Sequence, residues 1–538
     1  MPNKWQFKGT QVEEIQIQSL MKSDAYPDPT DGVRLVQTHI SWIFLAGKFV
    51  YKIKKPVDFG FLDFSTPDRR KFYCDEEVRL NRRLCPDIYL GVIPVREADG
   101  GASFHGDGKT IDYAVKMVRL PEERMADRLL VRGELRPDDV KRIAATVADF
   151  HGRAAGGAEL GSYGSLQSIR RNWEENFAQT DEFAGSTMPA RDLLMIREWV
   201  EGFMAGNAGL FNERVEGGFI RECDGDLHLE NICLTERVCI FDCIEFNNRF
   251  RFIDTAADIA FLLMDLEFYG RRDLAAIFLN EYLAISYDIG ALLLVNFYRI
   301  HRAFVRGKVE SFRLKDPGIP EREKQEAREK ARRYFRLARG YVLREKLEPL
   351  LVVICGLTGS GKSTIAETIG GELSLPVLSS DRLRKELAGV PLYEHKVDGY
   401  AAGIYSPAHS EATYRELFTR ADKLLGSGEG VIIDATCMRR KDRESLLQVA
   451  ERHGAPMYLV LVESPESLIR QRLEERERSG TGVSDGRWDV YLRQLDEFEP
   501  ILLSEGRLLA VDGSAPLHAT VDAILDAMGL IPRPAGAD

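Results

Sequence analysis

The sequence predicts two domains of different fold class, an α+β domain followed by an α/β domain with a parallel sheet. The chain has 538 residues, which is too long for a single hydrophobic core. Strand patterns dominate the first hundred residues, and helical patterns prevail from about residue 137. After Pro349, short apolar strands alternate with helices in five consecutive units. We therefore predict a first domain at 1–315, a charged helical connector at 316–348 and a second domain at 349–538.

The first domain opens with strands and one helix. The stretch SWIFLAGKFVYKIKKPV (41–57) predicts two strands around a turn at Ala46-Gly47, and 68–84 has the apolar spacing of a helix. Residues 88–95 and 110–120 predict further strands. The connector alternates acids and bases, which is typical of a solvated helix.

The second domain contains a complete phosphate-binding loop. The stretch VICGLTGSGKST matches G-x-x-x-x-G-K-[ST], with a predicted strand before it and a helix after it. Backbone N–H groups of such a loop point at phosphate oxygens, the lysine reaches the β- and γ-phosphates, and the serine hydroxyl joins a Mg²⁺ shell. The loop residues are Gly356, Leu357, Thr358, Gly359, Ser360, Gly361, Lys362, Ser363 and Thr364.

Three further residues of this domain are candidates for phosphoryl transfer. Asp434 ends the apolar strand VIID, where an acid near Mg²⁺ is expected. Asp381 and Arg384 lie three residues apart after the second strand. Asp381 can accept the proton of an acceptor hydroxyl, and Arg384 can hold an anionic acceptor. The alternative is an N-terminal cap followed by a solvated arginine.

A lid is predicted over the nucleotide. Arg472 and Arg476 lie four residues apart in RQRLEERERSG, before a loop with glycine and serine. Basic side chains closing over ATP would neutralise charge as the γ-phosphoryl group moves. The alternative is a surface helix in which these arginines pair with the neighbouring acids.

Residues 350–530 resemble the small P-loop kinases of the AAA_33 type, which include polynucleotide kinase-like, zeta toxin-like and gluconate kinase-like proteins. The shared parts are the P-loop, D-x-x-R after the second strand, the I-I-D-A-T strand and an arginine-bearing lid helix. The resemblance implies that Asp381 and Arg384 handle the acceptor hydroxyl and its phosphate.

The first domain carries a second acidic constellation in CDGDLHLENICL (223–234). Asp226 and Asn231 have the D-x-x-x-x-N spacing of a kinase catalytic loop, in which the acid orients the acceptor and the amide binds Mg²⁺. Asp242 follows at the end of a short apolar strand, where a second metal-binding acid is expected. The ordinary alternative is an Asp-Gly turn with a nearby histidine.

A lysine and a glutamate upstream complete the constellation. Lys52 lies on a predicted strand, as a phosphate-pairing lysine does. Glu77, or its neighbour Glu76, lies on the following helix and is the expected ion-pair partner. The order of all five roles fits a kinase-like site.

Residues 30–310 resemble the aminoglycoside phosphotransferase family, whose loop reads H-G-D-x-x-x-x-N. The resemblance implies a protein-kinase-like fold, Asp242 as the metal acid and a structural segment with Asp254 and Asp258. Asp224 replaces the family's histidine, and no G-x-G-x-x-G covers the phosphates, where Ser41 offers a polar contact. We expect His228 to pack against the fold.

Composition and net charge restrict the class of binding partner and the cellular compartment of the protein. The net charge of −11 argues against a general polyanion binder, although a basic pocket for nucleic acid in the second domain is compatible with it. No apolar run reaches the roughly 20 residues of a membrane span, and the N-terminus lacks the apolar core of a signal peptide. We expect a cytoplasmic protein whose eight cysteines are buried free thiols.

Together these features predict a bacterial fusion of both kinase types, with two sites that use ATP and Mg²⁺. Each site would transfer the γ-phosphoryl group of ATP to a small-molecule hydroxyl, with a nucleotide-like acceptor as one option at the second. The alternative is a regulatory protein in which a pseudokinase and a P-loop switch bind ATP without forming a product.

Overall fold

The computed structural model describes residues 16–60, 62–98, 101–316, 318–391, 403–479 and 486–531. The chain forms two compact units. One consists of Met1–Thr180 and Val200–Lys308, and the other consists of Asp181–Trp199 and Val309–Asp538. The second unit thus includes the predicted connector and a short segment from the first half of the sequence.

The first unit begins with an antiparallel sheet of six strands in the order β1-β2-β3-β6-β4-β5. Two antiparallel ribbons, β7 with β10 and β8 with β9, lie among its later helices. The strands are β1 (Val33–Gln37), β2 (Ser41–Ala46), β3 (Phe49–Lys54), β4 (Tyr89–Ala98), β5 (Gly101–Ser103), β6 (Thr110–Val118), β7 (Ile220–Glu222), β8 (Ile232–Leu234), β9 (Val238–Ile240) and β10 (Phe252–Asp254).

The helices up to residue 313 begin with α1, which is capped by the Thr66 hydroxyl and has proline in its first turn. These helices are α1 (Pro67–Asn81), α2 (Ala126–Val131), α3 (Pro137–Arg153), α4 (Leu166–Thr180), α5 (Ala190–Gly206), α6 (Ala208–Glu216), α7 (Asn248–Arg251), α8 (Thr255–Phe268), α9 (Arg272–Ser286) and α10 (Val295–Arg313). The predicted order of strands, helix, strands and then helices is confirmed here.

The second unit is built on a five-stranded parallel sheet in the order β12-β13-β11-β14-β15, which confirms the α/β prediction. Its strands are β11 (Leu351–Cys355), β12 (Val377–Ser379), β13 (Val431–Asp434), β14 (Met457–Glu463) and β15 (Arg507–Asp512). Its helices are α11 (Glu321–Glu345), α12 (Lys362–Leu373), α13 (Ser380–Leu387), α14 (Pro407–Gly426), α15 (Arg440–Arg452), α16 (Glu466–Ser479), α17 (Trp488–Glu497) and α18 (Leu517–Ala527).

The sheet topology brings the candidate residues of the second unit to one edge. All five strands run parallel, so their carboxyl ends lie at the same edge. Asp434 ends β13 and lies in register with Ile354 of β11 and Ser379 of β12. The loop after β11 is the P-loop, and α12 begins at Lys362.

One expectation about the cysteines is wrong. Cys85 and Cys239 form a disulfide between positions 154 residues apart, with their Cα atoms 4.9 Å from each other. The other six cysteines are free and buried, as expected. The pairing arises because Cys85, in the turn after α1, and Cys239 of β9 lie in the same buried apolar cluster, and sequence spacing carries no sign of that contact. No helix in the described part of the chain is long and apolar enough to cross a membrane.

Candidate active sites

The P-loop of the second unit has the backbone of an anion cradle. Gly361 has a φ of +99°, a left-handed conformation that a residue with a side chain rarely adopts. It stands just before α12, so the positive end of the helix dipole faces the loop. The sequence places glycine where the loop must curl toward a phosphate.

Asp434 lies behind the loop and is buried. Burial raises the pKa of its carboxyl, and the positive charge of Lys362 opposes that rise. The nearby hydroxyls of Ser363 and Ser379 also act to lower this pKa. Its Oδ1 atom has no hydrogen-bond partner among the described residues. A buried carboxylate oxygen beside a serine hydroxyl is a donor set that fits Mg²⁺.

The structure places Asp381 and Arg384 in the first turns of α13. Asp381 is half-buried, and its charge acts on Asp434. Arg384 is 7% exposed, so it is not a solvated arginine. Its Nη1 donates to Ser410 Oγ at 2.9 Å, and its guanidinium lies 4.8 Å from the centre of the Tyr405 ring. The Arg384 Nε atom is buried without a partner among the described residues.

The predicted lid helix is α16, in which Arg470 pairs with Glu474 on the exposed surface, whereas Arg472 is directed at the P-loop. Arg472 Nη1 donates to the carbonyl of Ser360 at 3.1 Å, and Nη2 donates to the carbonyl of Gly513 at 2.8 Å. Arg476 lines a cavity. The predicted lid loop falls largely on residues 480–485, which lie outside the described residues.

That cavity measures 740 Å³ and opens onto the second half of the P-loop. The volume lies within the range of small-molecule sites. Its walls come from the P-loop, α16 and the segment after β15. Among the lining residues are Gly361, Thr364, Arg472, Arg476, Gly513 and Thr520. The cavity can hold the base and sugar of a nucleotide whose phosphates lie on the loop.

In the first unit, Lys52 lies between two carboxylates. Its Nζ is 2.9 Å from Glu77 Oε1 and 2.5 Å from Asp242 Oδ1. Burial by itself lowers the pKa of Lys52, but the two carboxylates outweigh it and raise the pKa. Glu77 is therefore the partner, while Glu76 pairs with Arg79 on the helix surface.

Sequence reasoning missed a second pair in this site. Lys54 is fully buried, with Nζ 2.6 Å from Glu77 Oε2 and in contact with Glu245. Side chains two residues apart on a strand share a face, so Lys54 was visible beside Lys52 in the strand pattern. Glu245 follows Asp242 by three residues in a loop, and no spacing rule identifies it.

The loop at 223–231 brings Asp226 and Asn231 together. Asn231 Nδ2 donates to Asp226 Oδ2 at 3.1 Å, which leaves the amide oxygen available to a cation. Asp242 has a φ of +65°, and such strain in a residue without a glycine's freedom is typical of functional positions. Asn231 and Asp242 offer the oxygen ligands that Mg²⁺ prefers.

His228 packs against Phe261 with the two rings tilted by 37° and their centroids 5.3 Å apart, and its Nε2 is 3.4 Å from Asp226 Oδ2. Burial alone would raise the pKa of Asp226, but the charge and hydrogen bond of His228 lower it to about 2. The same pairing raises the pKa of His228 against the effect of burial. The Asp226 carboxyl is thus ionised at neutral pH.

Asp258 braces the loop where Asp224 replaces a histidine. It accepts the N–H groups of Asp224 at 3.1 Å and Gly225 at 2.8 Å, and His151 lies 3.0 Å away. Asp224 Oδ1 accepts the N–H of Asp226 at 3.1 Å. The side chains of Asp258 and Asp224 thus hold the backbone on which Asp226 stands. Ser41, the predicted phosphate contact, is fully buried, and its Oγ has no partner among the described residues.

Comparison with known proteins gives three kinds of match. The family model AAA_33, described as an AAA domain, matches residues 351–501. An uncharacterized protein of Mycobacterium tuberculosis strain H37Rv is 32% identical over 417 residues, which cover 77% of this chain and 80% of that protein. An uncharacterized protein of Mycobacterium bovis shows the same identity and coverage.

Kinases of small molecules match the second unit more distantly. A shikimate kinase of Caldanaerobacter subterraneus is 24% identical over 146 residues, covering 23% of this chain and 78% of that enzyme. A gluconokinase structure from Sinorhizobium meliloti aligns with 34% of this chain and 91% of its own, at 24% identity and a TM-score of 0.25. The sequence matches identify the C-terminal region as a kinase-like P-loop region.

Proposed function

Because the chain belongs to the same family as these mycobacterial proteins and contains a kinase-like P-loop region, we propose that it is an ATP-dependent phosphotransferase with two sites. Each site transfers the γ-phosphoryl group of ATP to the hydroxyl of a small molecule. The observation that carries the proposal is the P-loop, whose Lys362 acts on the buried carboxyl of Asp434, an acid whose Oδ1 has no hydrogen-bond partner in the part of the chain that the structure describes.

In the second unit, the loop N–H groups and Lys362 bind the phosphates, and Asp381 accepts the proton of the acceptor hydroxyl. The Nε of Arg384, for which no described residue is an acceptor, supports an acceptor molecule that carries an anionic group, such as a phosphate or carboxylate. Ser363 and Asp434 would hold Mg²⁺, which supplies charge neutralisation at the transferred group. Arg476 adds positive charge at the cavity wall.

In the first unit, the Lys52–Glu77 pair supports a second ATP site. Lys52 would bind phosphate oxygens, and the ionised Asp226 would orient and deprotonate the acceptor hydroxyl. Asn231 and Asp242 would hold Mg²⁺. Since Lys52 now lies against Asp242, ATP and the cation must separate the two groups before transfer.

The test is Mg²⁺-dependent ATP consumption with and without a small-metabolite extract, measured on wild type, Asp226→Asn and Lys362→Ala. We expect the extract to stimulate turnover and each substitution to remove a separate part of it. Lys441→Ala is the matched control, since Lys441 is an exposed lysine of the same unit. If ATP binds but the extract never stimulates turnover, the phosphotransferase proposal fails and an ATP-dependent switch replaces it.

A further inference from the structure

The helix that follows the lid loop is docked on the first half of the P-loop. In α17, the side-chain oxygen Oε1 of Gln494 accepts the backbone N–H of Thr358 at 2.8 Å. Thr358 is the third residue of the loop motif. A side chain from outside the motif thus engages one of the loop amides directly.

Apolar contacts hold α17 in this position. Leu357, the second loop residue, and Trp488 of α17 both pack against a buried cluster made by Tyr491 of α17 and by Ile469 and Leu473 of α16. The Trp488 and Tyr491 rings stack with centroids 5.0 Å apart. Gly486 comes so close to the loop that a Cβ there would lie 1.9 Å from Thr358 Oγ1. The contact with Gln494 is therefore part of a packed interface.

The orientation of the Gln494 amide follows from chemistry. A backbone N–H can only donate, so the atom facing Thr358 must be the amide oxygen. The amide nitrogen then points away with two hydrogens to donate. No acceptor for it is found among the described residues. Gln494 is half-buried, so its side chain is not enclosed by the protein, and the bond to Thr358 sets the orientation of its amide.

Gln494 lies away from the cavity assigned to the base. That cavity is lined by Gly359, Gly361 and Thr364 of the loop, whereas neither Thr358 nor Gln494 lines it. A nucleotide with its base there runs its phosphates along the loop away from the cavity. The start of the loop then meets the terminal phosphate.

We propose that Gln494 binds the γ-phosphoryl group of ATP, with Nε2 donating to one of its oxygens while Oε1 holds the loop at Thr358. The proposal rests on the proposed function of the P-loop region. Through this contact, α17 would distinguish a nucleoside triphosphate from a nucleoside diphosphate. The packing of Leu357 and the close approach of Gly486 hold α17 against the loop.

The test compares the binding of Mg²⁺·AMP-PNP and Mg²⁺·ADP to the full chain by calorimetry. Lys362→Ala identifies which binding event belongs to the P-loop. We expect Gln494→Leu to weaken AMP-PNP binding about tenfold, as for a lost hydrogen bond to a charged group, while ADP binding changes less than twofold. Gln494→Glu keeps an acceptor for Thr358 but repels phosphate, so it should weaken AMP-PNP binding further.

Gln471→Leu is the matched control, because Gln471 lies on the exposed face of α16 and pairs with Glu475. It should change neither affinity. Unchanged ADP binding by the Gln494 variants also shows that they are folded. Equal losses for both nucleotides would mean that Gln494 only braces the loop, and tighter binding would mean that it blocks the site. Either result overturns the proposal. If Lys362→Ala removes no binding event, the proposed function of this region fails instead.

Discussion

Two carboxyl groups in the loop at 223–231 have opposite protonation although they stand two residues apart. The Asp226 carboxyl pairs with His228 and has a pKa of about 2. Burial, followed by the charge of Asp258, raises the pKa of Asp224 well above its usual value. Asp224 thus serves as a neutral hydrogen-bonding brace, and Asp226 is the charged group available for chemistry.

Asp224→Asn is expected to stabilise the protein at neutral pH. Above a pH of about 4, the unfolded chain loses the Asp224 proton while the folded chain keeps it, so stability falls as pH rises. Asparagine has the same shape and does not titrate. Denaturant unfolding should show the variant more stable than wild type at pH 7 and nearly equal near pH 4.

Asp224→Ala is the control for this prediction, because alanine cannot accept the Asp226 N–H. It should be less stable than Asp224→Asn at both pH values. A loss of stability in Asp224→Asn that grows from pH 4 to pH 7 would show instead that Asp224 is charged in the folded protein.

Lys54→Met should be strongly destabilising. The substitution leaves Glu77 and Glu245 without the buried cation between them, and breaking a buried pair in this way costs about 3–5 kcal/mol. Adding Glu245→Leu should restore much of the loss, since Lys52 still compensates Glu77. Urea unfolding measures both variants. A double variant no more stable than Lys54→Met would contradict the pairing of Lys54 with Glu245. Lys71→Met is the control, because Lys71 is exposed and its substitution should leave the stability unchanged.

At the scale of elements, α11 changes character along its length. Its first half is exposed and carries surface pairs such as Arg322 with Glu326, as the alternating charges predict. Its second half is buried, and Arg339 there has no exposed surface. Arg339 lies 3.1 Å from Asp192, 2.7 Å from Asp522 and 2.5 Å from Glu372, which is in the last turn of α12, the helix that starts at the P-loop. This cluster ties α11 and the segment 181–199 into the second unit.

Arg339→Met should therefore destabilise the second unit by about 3–5 kcal/mol, because three buried or half-buried acids lose their shared cation. Thermal unfolding followed by calorimetry is the measurement. Arg322→Met on the exposed half of the same helix should leave the transition unchanged. Equal effects of the two substitutions would mean that the cluster does not hold α11 in place.

At the scale of the whole molecule, the proposal requires two nucleotide sites on one chain. Calorimetric titration with Mg²⁺·AMP-PNP should give two bound molecules per chain in wild type. Lys362→Ala and Asp242→Asn should each leave one, and the double variant should leave none. A single site in wild type that disappears in Lys362→Ala would show that the first unit does not bind ATP.

The sequence by itself determined the parallel sheet, the P-loop and the order of elements in the first unit. These features arise from local patterns: strand alternation, helical spacing and a glycine motif that must curl. The sequence also identified Asp226, Asn231 and Asp242 as candidates by their spacing, because all three lie in one short loop and at the end of one short strand.

Only the tertiary structure decided the long-range pairings. The Cys85–Cys239 disulfide, the Lys54–Glu245 pair, the Arg339 cluster and the contact of Gln494 with Thr358 join residues far apart in sequence. Each pairing depends on which buried surfaces pack together. A buried charge or thiol pairs with a group that this packing places within contact distance. No local spacing encodes that choice, so the partners became visible only when the chain was folded.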